Sequence, residues 1–506
     1  MKIYNINFFI LFISAIMAFS CGEKKATKAE EIKEDKKPNI LFLFTDDQRA
    51  GTIGAMNTYN VQTPNMDKLV ENGTAFTNSY ILGATTAAVC SPSRAMLMTG
   101  RHYFNIEPNV YAQFAFPKEE KGKSDKLTFP EHFKTNGYTT FATGKQHNGT
   151  DWVERGFDHV KAAFLGGMTR HFGTKVKDYT PEIGWSAPYQ QKEKFSSEVF
   201  ADAAIDFLGN NIDEDKPFLM YVSFTAPHDP RTAPEAFQQK YPTNNIKLPK
   251  NYMPEHPFEL ADEKIRDEVL LPFPRTEEAV KKEISEYYAM ITATDAQIGR
   301  IIEALEASGE AENTIIVLAG DNGLAVGQHG LLGKQNVYEH SVSVPLIFSG
   351  PNIPKNEKND AFAYLHDVFP TLCGLTGIDI PESIQTEDLT PVIKGEKKAV
   401  RNSMFYAYNS WPGEDFKPKV NNYGGHRAVR IGDFKLIVSA KKNEYTYQLF
   451  NIKNDPWELT NLVSNPDYTI MKENLIAELE NLIKETGDTA DLSKKEFGLF
   501  NNLEAY

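Results

Sequence analysis

Short apolar runs, each ending directly in polar residues, recur along this chain and restrict its fold more than any other feature. Asn39 to Thr45 (NILFLFT) runs into Asp46-Asp47, and Tyr138 to Thr143 into Gly144-Lys145-Gln146-His147. Pro217 to Phe224 (PFLMYVSF) leads to Ala226-Pro227-His228, and Thr314 to Ala319 (TIIVLA) to Asp321-Asn322-Gly323. Pro345 to Phe348 is another short run. Runs this short, without polar alternation, read as strands buried on both faces. Helical patterns lie between them. Pro64 to Asn72 is closed by Gly73 as a C-cap, and Thr128 and Glu131 form a capping-box pair before Phe133. Glu198 to Leu208 has helical spacing. A long helix runs from about Glu278 to Ala307, with Tyr288, Ile291, Ile298, Ile301, Ile302 and Leu305 on one side. Strands alternating with helices predict an α/β fold: a large, mostly parallel sheet sandwiched by helices. In such sheets ligands bind outside the carboxyl ends of the strands, where every one of these polar clusters falls.

After about Lys394 the pattern changes. Ser403 to Tyr408, Arg427 to Ile431, Phe434 to Ser439 and Tyr445 to Asn451 are short β-like runs, followed by a helix over roughly Tyr468 to Glu485. They predict a smaller C-terminal antiparallel sheet with a packed helix over 395–506, after a catalytic domain over 39–394, a division that suits 506 residues. Residues 240–280 are Pro-rich and irregular, and read as a surface excursion near the pocket mouth.

The N-terminus points to export. Lys2 precedes an apolar run, Phe8 to Phe19, that is short for a spanning helix, and Ala18-Phe19-Ser20-Cys21 follows. This resembles a bacterial lipoprotein signal over 1–20, cleaved before Cys21 with lipid on its sulfur. An ordinary secretory signal and an uncleaved anchor stay open. Residues 21–38 read as a flexible tether. The expected location is the periplasm, or the outer membrane and cell surface, of a bacterium, with membrane contact only through that lipid. With Cys21 lipidated and Cys90 used chemically, Cys373 in its apolar TLCGL setting has no disulfide partner and reads as a buried small hydrophobe. The net charge of -14, with no basic block, argues against nucleic acid as a partner. It leaves room for an anionic substrate in a locally basic pocket.

Cys90-Ser91-Pro92-Ser93-Arg94 is the sharpest motif. Pro92 suits the first turn of a helix, which sets Cys90 at a helix N-terminus, where free N–H groups favour anions. Asp46, Asp47, Asp321 and Asn322 each read alone as caps or turns, yet together they offer an all-oxygen site for a hard cation. The C-x-P-x-R pentapeptide resembles the modification motif of the formylglycine-dependent sulfatases, in the alkaline phosphatase superfamily. Gly144-Lys145-Gln146-His147-Asn148-Gly149 is similar to that family's G-K-x-H-x-G, with Gln146 in place of the usual Trp. His228, Lys334, Thr63-Pro64-Asn65-Met66-Asp67-Lys68-Leu69 and Asp455-Pro456-Trp457-Glu458 also fit. His340-Ser341 replaces the small Gly pair common in the family.

The resemblance implies a sulfatase that uses Ca²⁺ and a formylglycine made from Cys90 by a sulfatase-maturing enzyme. Asp46, Asp47, Asp321, Asn322 and the modified residue 90 would hold the metal. The aldehyde hydrate would attack sulfur, with Asp321 accepting its proton and Lys145, Lys334 and Arg94 stabilising charge. His228 would protonate the leaving alcohol, and His147 would assist the release of sulfate. An exported enzyme of this kind suits a sulfated polysaccharide or its oligosaccharides. Candidate substrate contacts on loops are His102, Arg170, His171, His340 and Arg427, together with Tyr111, Trp152, Arg231, His256 and His426. Trp185 and Trp411 are candidates for stacking on sugar rings. Two other functions fit less of this pattern: a phosphodiester or phosphonate monoester hydrolase of the same superfamily, and a non-catalytic lipoprotein that binds sulfated glycans.

Overall fold

The computed structural model describes residues 36–494, apart from 57, 86–87, 114–115, 211, 213–214, 259–266, 410–423 and 442–443. The expected signal segment, Cys21, most of the tether and Trp411 lie outside the described residues. Among the described residues no helix is long and apolar enough to cross a membrane.

Among the described residues, sixteen strands form two sheets. In chain order they are β1 (Asn39–Thr45), β2 (Gly73–Tyr80), β3 (Gly83–Thr85), β4 (Thr139–Lys145), β5 (His159–Phe164), β6 (Lys175–Thr180), β7 (Gly184–Trp185) and β8 (Tyr189–Gln190). They continue as β9 (Phe218–Ser223), β10 (Thr314–Gly320), β11 (Leu346–Ser349), β12 (Glu357–Tyr364), β13 (Ser403–Asn409), β14 (Gly424–Ile431), β15 (Phe434–Lys441) and β16 (Glu444–Asn451). The helices that matter here are α1 (Pro64–Glu71), α2 (Cys90–Thr99), α3 (Phe129–Thr135), α4 (Ser196–Asn210), α5 (Glu277–Ala307), α6 (Val368–Thr376) and α7 (Thr469–Thr486).

The larger sheet has the order β12-β2-β11-β10-β1-β9-β4-β5-β6-β7, with β8 on β6. Its centre, β10-β1-β9-β4-β5, is parallel. All seven residues of β1 are buried, and they feed two cores in alternation. Ile40, Phe42 and Phe44 join a cluster with α2, α3 and α6 residues such as Met96, Phe133 and Phe369. Leu41 and Leu43 join one with Met66 of α1, Phe200 of α4 and Ile301 of α5. A two-residue side-chain period thus accounts for a strand that is apolar throughout.

The smaller sheet, β16-β15-β14-β13-β3, is antiparallel from β13 to β16, and α7 packs on it. Its fifth strand, β3, comes from residues 83–85 and pairs parallel with β13. Residues 395–506 therefore do not complete this sheet alone.

The short run Pro345 to Phe348 forms β11, which runs antiparallel between β10 and β2. Several other local expectations need correction. Gly73 is not a left-handed C-cap: Asn72 closes α1, and Gly73 opens β2. A Cβ on Gly73 would lie 2.2 Å from the Phe348 carbonyl oxygen, so close approach to β11 explains the glycine. The Thr128/Glu131 capping box does not form. Thr128 makes no side-chain cap, and Glu131 instead binds Arg155 Nη1 at 2.5 Å. The 240–280 excursion is not all surface. Glu268 and Arg275 are buried, and Glu268 accepts the amides of Leu332 and Gly333 at 2.9 and 2.7 Å. That carboxylate satisfies the backbone that presents Lys334. Cys373 is fully buried, and burial pushes its thiol up to about 12.

Candidate active site

The polar clusters converge at the carboxyl edge of the parallel strands. β1 delivers Asp46 and Asp47, β4 ends on Lys145 with His147 just beyond, β9 leads to His228, and β10 to Asp321 and Asn322. Gly144 makes the Lys145 position possible, since a Cβ there would lie 1.8 Å from the Ser223 carbonyl oxygen on β9. α2 opens at Cys90 with Pro92 in its first turn, so the cysteine stands where amide N–H groups lack helical partners.

The Cys90 Sγ lies 3.4 Å from His147 Nδ1 and 3.5 Å from Lys145 Nζ. Lys145 Nζ also donates to Asp46 Oδ2 at 2.5 Å, and Lys334 Nζ donates to Asp47 Oδ1. Arg94 is bonded within the site: its Nε donates to Asp321 Oδ2 at 2.9 Å and its Nη1 to Ser223 Oγ at 2.6 Å. Asp47 N donates to Asp321 Oδ1 and Asn322 Nδ2 to Asp47 Oδ1, each at 2.9 Å. His228 directs Nε2 towards Asp47 Oδ2 at 3.8 Å, because its Nδ1 is committed to the Asp229 carbonyl at 2.8 Å.

These groups titrate one another. Burial alone would raise the Cys90 thiol, but Lys145, His147 and Lys334 hold it well below its usual value. Burial disfavours charge on His228, yet Asp47, with help from Asp46, lifts it to about 9. Asp46 is pushed well above the carboxylate range, by burial first and by the neighbouring Asp321 second.

The donor set fits a hard cation. Ligand atoms of Asp46, Asp47 and Asp321 lie within 4.8 Å of one another. Asp46 Oδ1, Asp47 Oδ2 and Asn322 Oδ1 are buried oxygens with no hydrogen-bond partner, which a cation would satisfy. Oxygen-only ligands of this kind favour Ca²⁺ or Mg²⁺.

The expected substrate contacts fare differently. Arg427 is fully buried and ion-paired with Asp488 in the core of the smaller sheet. His171 is a buried support for the site: its Nε2 donates to the His228 carbonyl at 2.8 Å, and its Nδ1 meets Ser196 Oγ at 2.9 Å. His102 packs on His366, 3.3 Å between ring nitrogens. His340 is buried, stacked near His329 and Tyr338. Tyr111 and Trp152 are core residues, His426 binds Ser439, and His256 binds the Phe258 carbonyl. Trp185 donates to Glu154 at 2.8 Å. Arg170 is exposed. Arg231, three residues past His228, pairs with Glu283 and adds positive potential at Asp47. Sequence reasoning missed Asp229, whose adjacency to His228 was the available signal.

Such an edge can grip the oxygens of an anionic ester with lysines and a metal, attack from position 90, and protonate a departing alcohol. Fold and site together define a hydrolase of anionic esters. Residues 38–378 match the family model for sulfatases, and residues 327–485 the C-terminal model for N-sulphoglucosamine sulphohydrolase. The chain belongs to the sulfatase family and is a sulfuric ester hydrolase. An ulvan-active sulfatase of Formosa agariphila is 30% identical, over 96% of this chain and 89% of the relative. A solved structure of a protein in complex with its substrate D-glucosamine-2-N,6-O-disulfate is 25% identical, with a TM-score of 0.73 over 91% of this chain and 100% of the other. A phosphonate monoester hydrolase of Agrobacterium radiobacter, 22% identical with a TM-score of 0.69 over 89% of this chain and 96% of the other, shares the fold.

Proposed function

We propose that this chain removes sulfate from a sulfated polysaccharide or its oligosaccharides, using a formylglycine at position 90 and Ca²⁺. The observation that carries the reading is the meeting of Cys90, at the start of α2, with Lys145 and His147 beside three clustered carboxylates. The glycan follows from the relatives, one active on ulvan and one bound to a sulfated glucosamine. When present, the hydrated aldehyde supplies a nucleophilic oxygen and the cation polarises the sulfate oxygens.

The other steps belong to the chain's own side chains. Lys145 and Lys334 hold the sulfate oxygens and offset their charge. Arg94 holds Asp321 in place through their 2.9 Å bond. His228, with Nδ1 fixed on Asp229, presents Nε2 to the leaving oxygen and gives it a proton. His147, against position 90, takes a proton from that residue as sulfate departs. Export through the N-terminal segment, with lipid on Cys21, completes the reading and would bring the enzyme to large external glycans.

The test is the mass of the tryptic peptide containing Cys90 after co-expression with a sulfatase-maturing enzyme, paired with a panel of sulfated oligosaccharides and a phosphonate monoester. Conversion of thiol to aldehyde with turnover of a sulfated sugar is expected. An unmodified thiol despite competent maturation, or turnover of the phosphonate alone, would overturn it.

A further inference from the structure

Asp47 adopts a backbone conformation that few residues other than glycine take up. Its φ is 68°, in the left-handed region. Surrounding structure must hold such a residue in place, and α5 supplies the hold. The buried Tyr287 donates its hydroxyl to the Asp47 carbonyl at 2.6 Å and accepts the Arg49 amide at 3.0 Å. One phenolic oxygen thus spans the turn that carries Asp46 and Asp47. The Arg49 side chain then crosses to the other half of the site. Its Nη1 donates to the Ala325 and Leu324 carbonyls at 2.9 and 3.3 Å, just past Asp321 and Asn322. Its guanidinium lies 4.2 Å over the Tyr59 ring and 5.6 Å from that of Tyr287.

We propose that Tyr287 is a positioning residue for the cation site: acting through the Asp47 carbonyl and Arg49, it sets how the Asp46-Asp47 carboxylates face Asp321 and Asn322, and so sets calcium affinity. The inference rests on the metal reading above. Both hydroxyl bonds go to main chain, so loss of the oxygen would leave a buried carbonyl and amide unpaired within one turn. The turn would relax towards right-handed backbone and carry both carboxylates with it. Outer groups that orient metal ligands typically change affinity by about 10- to 100-fold.

The test follows calcium-dependent thermal unfolding of the matured full chain and its Tyr287→Phe variant, with kcat measured at limiting and saturating calcium. The expected result is about a tenfold or greater rise in the calcium concentration needed for half the stabilisation, with kcat largely restored at saturation. Tyr241→Phe is the control. It removes an equally connected buried hydroxyl, bonded to the Gln62 amide and Thr292, and should leave calcium dependence unchanged. A Tyr287→Phe titration that overlays the wild type would overturn the proposal, as would a loss of stability equal with and without calcium. Should that variant not fold, Arg49→Gln, which keeps Tyr287 and removes the bonds to Leu324 and Ala325, carries the same expectation and the same refutation. A wild type without any calcium response would overturn the metal reading as well.

Discussion

Arg94 Nε lies 2.9 Å from Asp321 Oδ2, and this bond ties the helix that begins at Cys90 to the strand end that meets the clustered carboxylates of Asp46 and Asp47. Both side chains are fully buried. Replacing Arg94 by Met would leave buried Asp321 without this partner. Breaking a buried pair in this way costs about 3–5 kcal/mol. Denaturant unfolding in chelator should show that loss, and excess calcium should recover part of it, since a cation also compensates Asp321. A variant as stable as the wild type in chelator would refute the role given to the pair.

His228 should matter in proportion to the difficulty of the leaving group. Its Nε2 is the nitrogen turned towards Asp47, because Nδ1 meets the Asp229 carbonyl at 2.8 Å. His228→Gln should lower kcat on sugar sulfates by about 10²–10⁴-fold, the range for a positioned general acid. An aryl sulfate with an acidic phenol needs little protonation and should lose far less. Steady-state rates across a series of aryl and alkyl sulfates decide the matter: a uniform loss would remove His228 from the proton transfer.

The strand ends that build this site were legible because a fully buried strand is apolar to its last residue, which makes the polar clusters at Asp46, Lys145, His228 and Asp321 stand out. Cys90 and Arg94 were legible through the resemblance of their C-x-P-x-R pentapeptide to the sulfatase motif, with Pro92 marking the start of the helix. Arg427 and His171 were misjudged for one reason. A polar side chain looks like a surface contact until its partner is known, and Asp488 and Ser196 lie 61 and 25 residues away. The same holds for Tyr287, whose place in an amphipathic helix reads as plain core. The antiparallel turn of β11 and the pairing of β3 with β13 are choices of topology that short apolar runs do not encode. The capping box failed because Arg155 offered Glu131 a better partner than a backbone amide.

Acid should destabilise the fold through buried neutral histidines. Burial lowers His171 to about 4, and His426 to about 3. An unfolded histidine titrates near 6.5, so the unfolded chain takes up protons first as pH falls. The stability each group contributes is complete above about pH 6.5 and is lost as pH falls towards its folded value. For His171 the difference amounts to about 3 kcal/mol. Glu268 acts in the opposite sense: burial raises it to about 7, so its contribution is lost as pH rises through that value. Urea unfolding of wild type and His171→Gln at pH 7.5 and pH 4.5 separates the two. The variant should show a smaller drop between these pH values, and an identical drop would rule out His171 as a source.

Calcium removal should expose the repulsion built into the site. Asp46 and Asp321 are buried side by side, and Asp46 is held well above the usual carboxylate range by burial and by that neighbour. Binding of a cation must displace the proton that Asp46 favours, so affinity should weaken as pH falls. At calcium 100-fold above Kd the folded state gains about 2.7 kcal/mol, and chelation should remove it as a drop in Tm. Asp46→Ala takes away one ligand and one of the orphaned oxygens, and should abolish the calcium-dependent part of Tm while the chelated protein still unfolds cooperatively. Persistence of the full calcium shift in that variant would place the cation elsewhere.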